Sequence, residues 1–177
     1  MTQLETKNLS LCPLTNDDWS DFLNLNLDAE VNRYIRVPDS PSMIKEKFEG
    51  RIGPWTFESE EWLTLVIREH DGSFVGLSGF HCTDKDFKHV EVGYMLALTA
   101  QRKGYATESL KAIIDWGITH FDVHKFSAFV SVDNIASQRV LIKSGFQQEG
   151  LLRENNKVGD EWQDDYLFGL LSRDFKV

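Results

Sequence analysis

Glu91 stands just ahead of Gln101-Arg102-Lys103-Gly104-Tyr105-Ala106, a basic turn that carries a strand-like run into a helix. Such a turn leaves the first helical N–H groups without partners and sets the positive end of the helix dipole at the same spot, which suits a phosphate. Gly104 lets the backbone approach a ligand closely and adopt φ > 0, and Ala106 keeps the first helical turn small. Arg102 and Lys103 add positive charge to a chain whose formal net charge is −9. One glycine and two basic residues also describe an ordinary solvated helix start. A P-loop needs a longer glycine-rich loop ending in Gly-Lys-Ser/Thr, and a dinucleotide turn needs more glycines, so neither fits.

A second group of polar residues, Asn134 and Ser137, opens a later helical stretch. Asn134 suits a helix N-cap and Ser137 a first-turn polar position, so on their own they need no ligand. The five histidines are scattered and form no metal-ligand spacing, and no metal is expected. Cys12 and Cys82 lie far apart in apolar strand-like segments and read as buried, reduced thiols.

The elements that position these residues follow from hydrophobic period. Residues 8–14 alternate and end in proline, as an edge strand would. Residues 15–18 offer an N-cap ahead of Trp19, Phe22, Leu23 and Leu27, and residues 43–52 form a second helix with Met43, Ile44 and Phe48 on one side. Two strands, 62–68 and 73–80, flank His70-Asp71-Gly72, a hairpin signal, and a third runs over 89–98. Ala106, Leu110, Ile113, Ile114, Gly117, Ile118 and Phe121 share one face of the clearest helix. A strand from Phe126 to Val132, a helix over 135–144 closed by Gly145, and a final strand pair, 146–152 and 165–171, complete the order β-α-α-β-β-β-α-β-α-β-β. That order describes an α/β (α+β) mixed sheet covered by helices, in one domain spanning residues 1–177.

Glu91-Val92-Gly93-Tyr94-Met95-Leu96, followed by Gln101 to Glu108, resembles the RimJ/RimL branch of the GNAT family of N-acetyltransferases. Asn134-x-x-Ser137-x-x-Val140-Leu141-x-Lys143-x-Gly145-Phe146, then Glu149-Gly150-Leu151-Leu152-Arg153-Glu154, Gly159 and Asp165, matches the same branch in order and spacing. With residues 29–34 the resemblance covers nearly the whole chain. It implies the acyl-CoA N-acyltransferase fold and acetyl-CoA as co-substrate. It implies that Gln101, Arg102, Lys103, Gly104, Tyr105, Ala106 and Thr107 hold the pyrophosphate. The backbone of Leu96, Ala97 and Leu98 would meet the pantetheine and acetyl group, with Asn134 and Ser137 as further cofactor contacts.

The chemistry that the resemblance implies is acetyl transfer to a primary amine. An α-amine, with pKa about 7.7 to 8.0, loses its proton more readily than a lysine at about 10.4. Glu91 is the expected base, since alternation puts it with Gly93, Met95 and Ala97 on one face of its strand. A β-bulge, common in that strand of the family, would turn a backbone N–H toward the thioester carbonyl. Many family members carry a tyrosine where this chain has Leu141, and that tyrosine protonates the leaving thiolate; here Ser137 is the expected acid.

The resemblance implies, as acceptor, the N-terminal amine of a protein such as a ribosomal protein. A polyamine, amino acid or aminoglycoside is the alternative acceptor, and a non-catalytic acyl-CoA-binding module the alternative of a different class. The acidic balance argues against direct nucleic-acid binding and leans toward cationic acceptors, which the aromatic and acidic residues 55–62 would help to recognise. No apolar run is long enough for a membrane span and no leader pattern opens the chain, so no membrane partner and a cytoplasmic location are expected, with a possible homodimer.

Overall fold

The computed structural model describes residues 3–59 and 61–176. Its sheet has eight strands, β1 (Leu4–Glu5), β2 (Leu9–Pro13), β3 (Leu63–Glu69), β4 (Phe74–Asp84), β5 (His89–Leu96), β6 (Lys125–Ser131), β7 (Gln147–Val158) and β8 (Glu161–Leu171). They lie in the order β1-β2-β3-β4-β5-β6-β8-β7. β5 and β6 pair parallel, and the other pairs are antiparallel. The parallel pair requires a crossover, supplied by α4 (Tyr105–Phe121). The mixed sheet expected from the sequence is therefore present.

Three helices, α1 (Trp19–Leu27), α2 (Ala29–Asn32) and α3 (Pro41–Arg51), fill the segment between β2 and β3. Phe22, Leu25, Ile44 and Phe48 pack on one sheet face against Val66, Leu77, Met95 and Ala97. The other face carries α4 and α5 (Ile135–Lys143), whose Leu110, Ile113, Ile114 and Leu141 join Leu65, Ile67, Phe80, Val90 and Val92 in the main core. Gly117 lets α4 approach β6, because a Cβ there would stand 3.2 Å from the Phe126 ring.

Several details differ from the sequence expectation. The two-residue β1 pairs with β2, so residues 8–14 do not form the sheet edge; too short to show an alternation, β1 left no pattern to read. Asp28 caps an unforeseen four-residue α2 through its side chain, which accepts from Glu30 and Val31 N–H. The last hairpin is longer at both inner ends, reaching Val158 and Glu161. Leu98 has left β5 for a 3₁₀ turn, Leu98–Ala100.

Candidate active site

β5 and β6 stay together only over His89↔Lys125, Val90↔Phe126 and Glu91↔Ser127. Beyond that point β6 continues along β8 to Ser131↔Asp165, while β5 follows β4 to Leu96. The strands part because each keeps its antiparallel neighbour, and a cleft of about 460 Å³ opens between them. Glu91 and Ser137 line it, and so do Trp62, Asn134, Leu141 and Asp165.

The β4–β5 register runs without a shift from Val90 to Leu96, so the bulge expected in β5 is absent. None is needed to free polar backbone. Ala97 N–H bonds Val75 O, which makes alternate residues of β5 face β4 and turns the N–H and C=O of Val92, Tyr94 and Leu96 toward the gap. Two side chains mark that direction: Ser127 Oγ donates to Val90 O at 3.1 Å, and Gln101 Nε2 donates to Leu96 O at 3.2 Å. Of the three expected backbone contacts, Leu96 faces the gap, Ala97 N–H is occupied by β4, and Leu98 is exposed in the 3₁₀ turn.

The expected parity of β5 holds. Glu91 lies on the face shared with α1 and α3, at the point where the strands part. Burial raises its carboxyl above the ordinary glutamate value, with no neighbouring charge among the causes. Its cross-strand neighbour is His81, whose pKa burial lowers below the ordinary histidine value, with an Nδ1 that has no partner among the described residues. The His81 ring lies 4.5 Å from that of Trp62, and Trp62 in turn covers Gly93, where a Cβ would meet it at 3.2 Å.

Tyr94 points to the opposite face. Its hydroxyl is 2.7 Å from Ser137 Oγ and 3.2 Å from Ser137 O. Burial pushes the Tyr94 hydroxyl up to about 12, with the Ser137 hydrogen bond opposing, so it keeps its proton near neutrality. Leu141, where a tyrosine was noted as missing, is buried one turn along α5. A phenol is thus present at this wall of the cleft, carried by β5 instead of α5. Ser137 N–H also binds Asn134 Oδ1 at 3.1 Å, so Asn134 caps α5 with its oxygen.

The basic turn lies on the same side. Arg102 has φ 64 and Gly104 φ 88, and a Cβ at Gly104 would meet nothing within 4 Å, so the turn faces open space. Glu108 N–H bonds Gly104 O at the start of α4, and the N–H groups of the preceding turn have no helical partner. Successive free N–H groups in such a curl form an anion-binding concavity. Lys103 is drawn to Glu69 at 3.2 Å, as is the Tyr105 hydroxyl at 2.9 Å, whereas Arg102 is exposed. The donors present therefore fit a pyrophosphate.

The far end of the cleft is built by segments that carried no readable signal. Tyr34, Ile35 and Arg36 follow α2, Arg51 ends α3, and Asn155 and Asn156 come from an irregular stretch of β7 between Leu152 and Asn156. Asn156 Nδ2 donates to Ile35 O at 3.2 Å, tying β7 to that loop, and Asn155 Nδ2 donates to the buried Asp165 at 2.8 Å. The aromatic segment expected to meet an acceptor divides. Trp55 and Phe57 pack with Phe80 and Phe121 in the core, Trp62 alone of its aromatics lines the cleft, and Glu60 lies outside the described residues. Among the described residues no group of acids, histidines and cysteines could hold a metal ion, and no helix is long and apolar enough to cross a membrane.

Residues 8–147 match the family model described as Acetyltransferase (GNAT) domain. The chain is 34% identical to Probable N-acetyltransferase YjcK of Bacillus subtilis (strain 168) over 95% of its own length and 88% of the relative's. It is 26% identical to the ribosomal-protein-serine acetyltransferase of Escherichia coli (strain K12), over 59% of this chain and 57% of that protein. In fold it is similar to a spermidine N-acetyltransferase from Vibrio cholerae solved in complex with CoA and spermine. The TM-score there is 0.84 at 22% identity, covering 96% of this chain and 98% of that one.

Proposed function

Because the chain belongs to the GNAT family of acetyltransferases, and is an acetyl-CoA-dependent N-acetyltransferase, we propose that its acceptor is an α-amine, as at the N-terminus of a protein such as a ribosomal protein. The observation that carries this reading is Glu91, a half-buried carboxylate with no neighbouring charge among the causes of its raised pKa, at the point where β5 and β6 part. A single carboxylate of raised pKa is a match for an α-amine, which needs a weaker base than a lysine side chain. The partial likeness to a ribosomal-protein acetyltransferase points the same way.

Acetyl-CoA supplies the acetyl group as an activated thioester. The residues of the basic turn, with Arg102 and the free N–H groups ahead of Glu108, hold its pyrophosphate, and Asn134 and Ser137 border its path into the cleft. Glu91 takes the proton that the acceptor ammonium must lose, directly or through a water, before the amine nitrogen attacks the acetyl carbonyl carbon. Backbone N–H groups of Val92 and Tyr94 face the gap as donors for charge developing on the carbonyl oxygen, an effect of a few kcal/mol per donor. As the carbon–sulfur bond breaks, Ser137 gives its hydroxyl proton to sulfur and Tyr94 replenishes Ser137. The second proton of the nitrogen, lost as the tetrahedral adduct collapses to the amide, passes through water to restore Tyr94, and Glu91 releases the first to solvent, so that one proton leaves per turnover.

Thiol release from acetyl-CoA, measured with peptides bearing free or blocked N-termini, amino acids, spermidine and an aminoglycoside, tests the reading. Turnover is expected with free α-amines. Turnover confined to spermidine or the aminoglycoside would overturn the acceptor class, and CoA binding without turnover on any amine would support a binding module instead.

A further inference from the structure

We propose that Arg51, backed by Arg36, is a carboxylate subsite at the acceptor end of the cleft. The acceptor is then an α-amine with a carboxylate close by, either a free amino acid or an acidic N-terminus. This inference rests on the α-amine reading above and adds a second recognition element to it.

The chain is strongly acidic, yet two arginines border one end of its cleft. Arg36 stands 4.0 Å from Asp39, but Asp39 is held closer by Lys47, at 2.5 Å. Arg51 has no ion pair among the described residues; Glu61 acts on it from a distance while Arg36 repels it. Its guanidinium group lies 5.9 Å from the Phe22 ring centroid, at the end of α3 that Phe48 and Ile44 anchor to the sheet. An arginine half-buried beside another arginine is unfavourable until an anion arrives, and its planar fork suits a carboxylate.

The other charges in the cleft complete the match. Glu91 and Asp165 are acidic, and Arg36 and Arg51 are basic. A zwitterionic acceptor satisfies both, its ammonium toward Glu91 and its carboxylate toward Arg51. A polyamine would set its distal ammonium against the arginines, a like-charge contact that disfavours binding. Tyr34 and Trp62 add apolar walls for the remainder of a small acceptor.

The test compares pairs that differ only in charge: L-alanine and L-serine against their α-carboxamides, and the peptide amides Ser-Glu and Ser-Gln, with spermidine as cationic control. Wild-type protein is expected to show kcat/KM at least ten-fold higher for the carboxylate member of the free-amino-acid pairs or of the peptide pair, and the pair that responds identifies the source. R51Q should bring that ratio near one without changing KM for acetyl-CoA, and R51K should keep part of it. Carboxamides or spermidine used as well as the acids, or a ratio that R51Q leaves intact, would overturn the subsite. Binding is read separately by titrating the CoA-loaded protein with N-acetyl-L-alanine and its α-carboxamide. A loss of the preference in R51Q with no amine turned over would retain the subsite and overturn the catalytic reading, whereas equal binding of both probes would overturn the subsite.

Discussion

The two ends of the cleft are built in different ways. The side toward α5 and the start of α4 draws on two short runs of sequence, 134–137, which lines the cleft, and 101–107, which lies outside its lining, and the polar groups it leaves free are mostly backbone N–H groups of helix starts. The end bordered by α2, α3 and β7 draws on Tyr34, Arg36, Arg51, Trp62, Asn155 and Asp165, scattered over the chain and acting through side chains. The first end can hold one invariant ligand group, a pyrophosphate, by local geometry. The second can change with each side chain, so the same scaffold serves different amines. Glu91, with its face toward α3, and the Tyr94–Ser137 pair, on the face toward α5, meet where these two constructions join.

Substitutions sharpen or break this division. Glu91→Gln should lower kcat/KM for the amine by about 10²- to 10³-fold near neutral pH, and by less at high pH where the amine is already neutral. Affinity for acetyl-CoA should hold. A parallel loss of CoA binding, read by calorimetry, would mean that the two ends are not separable. Arg102→Ala should act on the other end alone, raising KM for acetyl-CoA about ten-fold with kcat little changed, as expected for the loss of one charge-assisted contact. Tyr94→Phe and Ser137→Ala should each lower kcat by about ten-fold, and the double variant by no more than either alone, because the two hydroxyls act as one donor. Additive losses in steady-state assays would assign them separate roles.

Two smaller effects concern stability. Asn134→Ala removes the α5 cap and should cost about 1 kcal/mol, a fall in Tm of about 2–4 °C. Glu91 binds its proton more tightly folded than unfolded, so its contribution to stability falls as pH rises through the window above its ordinary value. Glu91→Gln should therefore raise Tm slightly at pH 7, by about 1–2 °C, and not at pH 4. An equal change at both pH values, by calorimetry, would remove burial of the charge as the cause.

The same contrast explains what could be read from the chain. α4 was legible because one apolar stripe must meet the sheet, and the basic turn because it is contiguous. Glu91 was legible by strand parity, which holds since β5 has no bulge. The contact between Tyr94 and Ser137 was hidden although its motif was plain. Parity placed Tyr94 opposite Glu91, but only the packing of α5 beside β5 brings its hydroxyl to Ser137. Arg51 was illegible in principle: it ends a helix amid ordinary charges, and its place in the cleft follows from how α3 lies on the sheet. The irregular stretch of β7 that aims Asn155 and Asn156 inward likewise leaves no periodic trace.

Amide hydrogen exchange with and without CoA tests the division of the cleft most directly, since it needs no knowledge of the acceptor. Protection is expected over residues 102–107 and 134–137, with residues 34–51 and 153–158 unchanged. Protection centred on the α2–α3 segment, or none at the basic turn, would contradict the account.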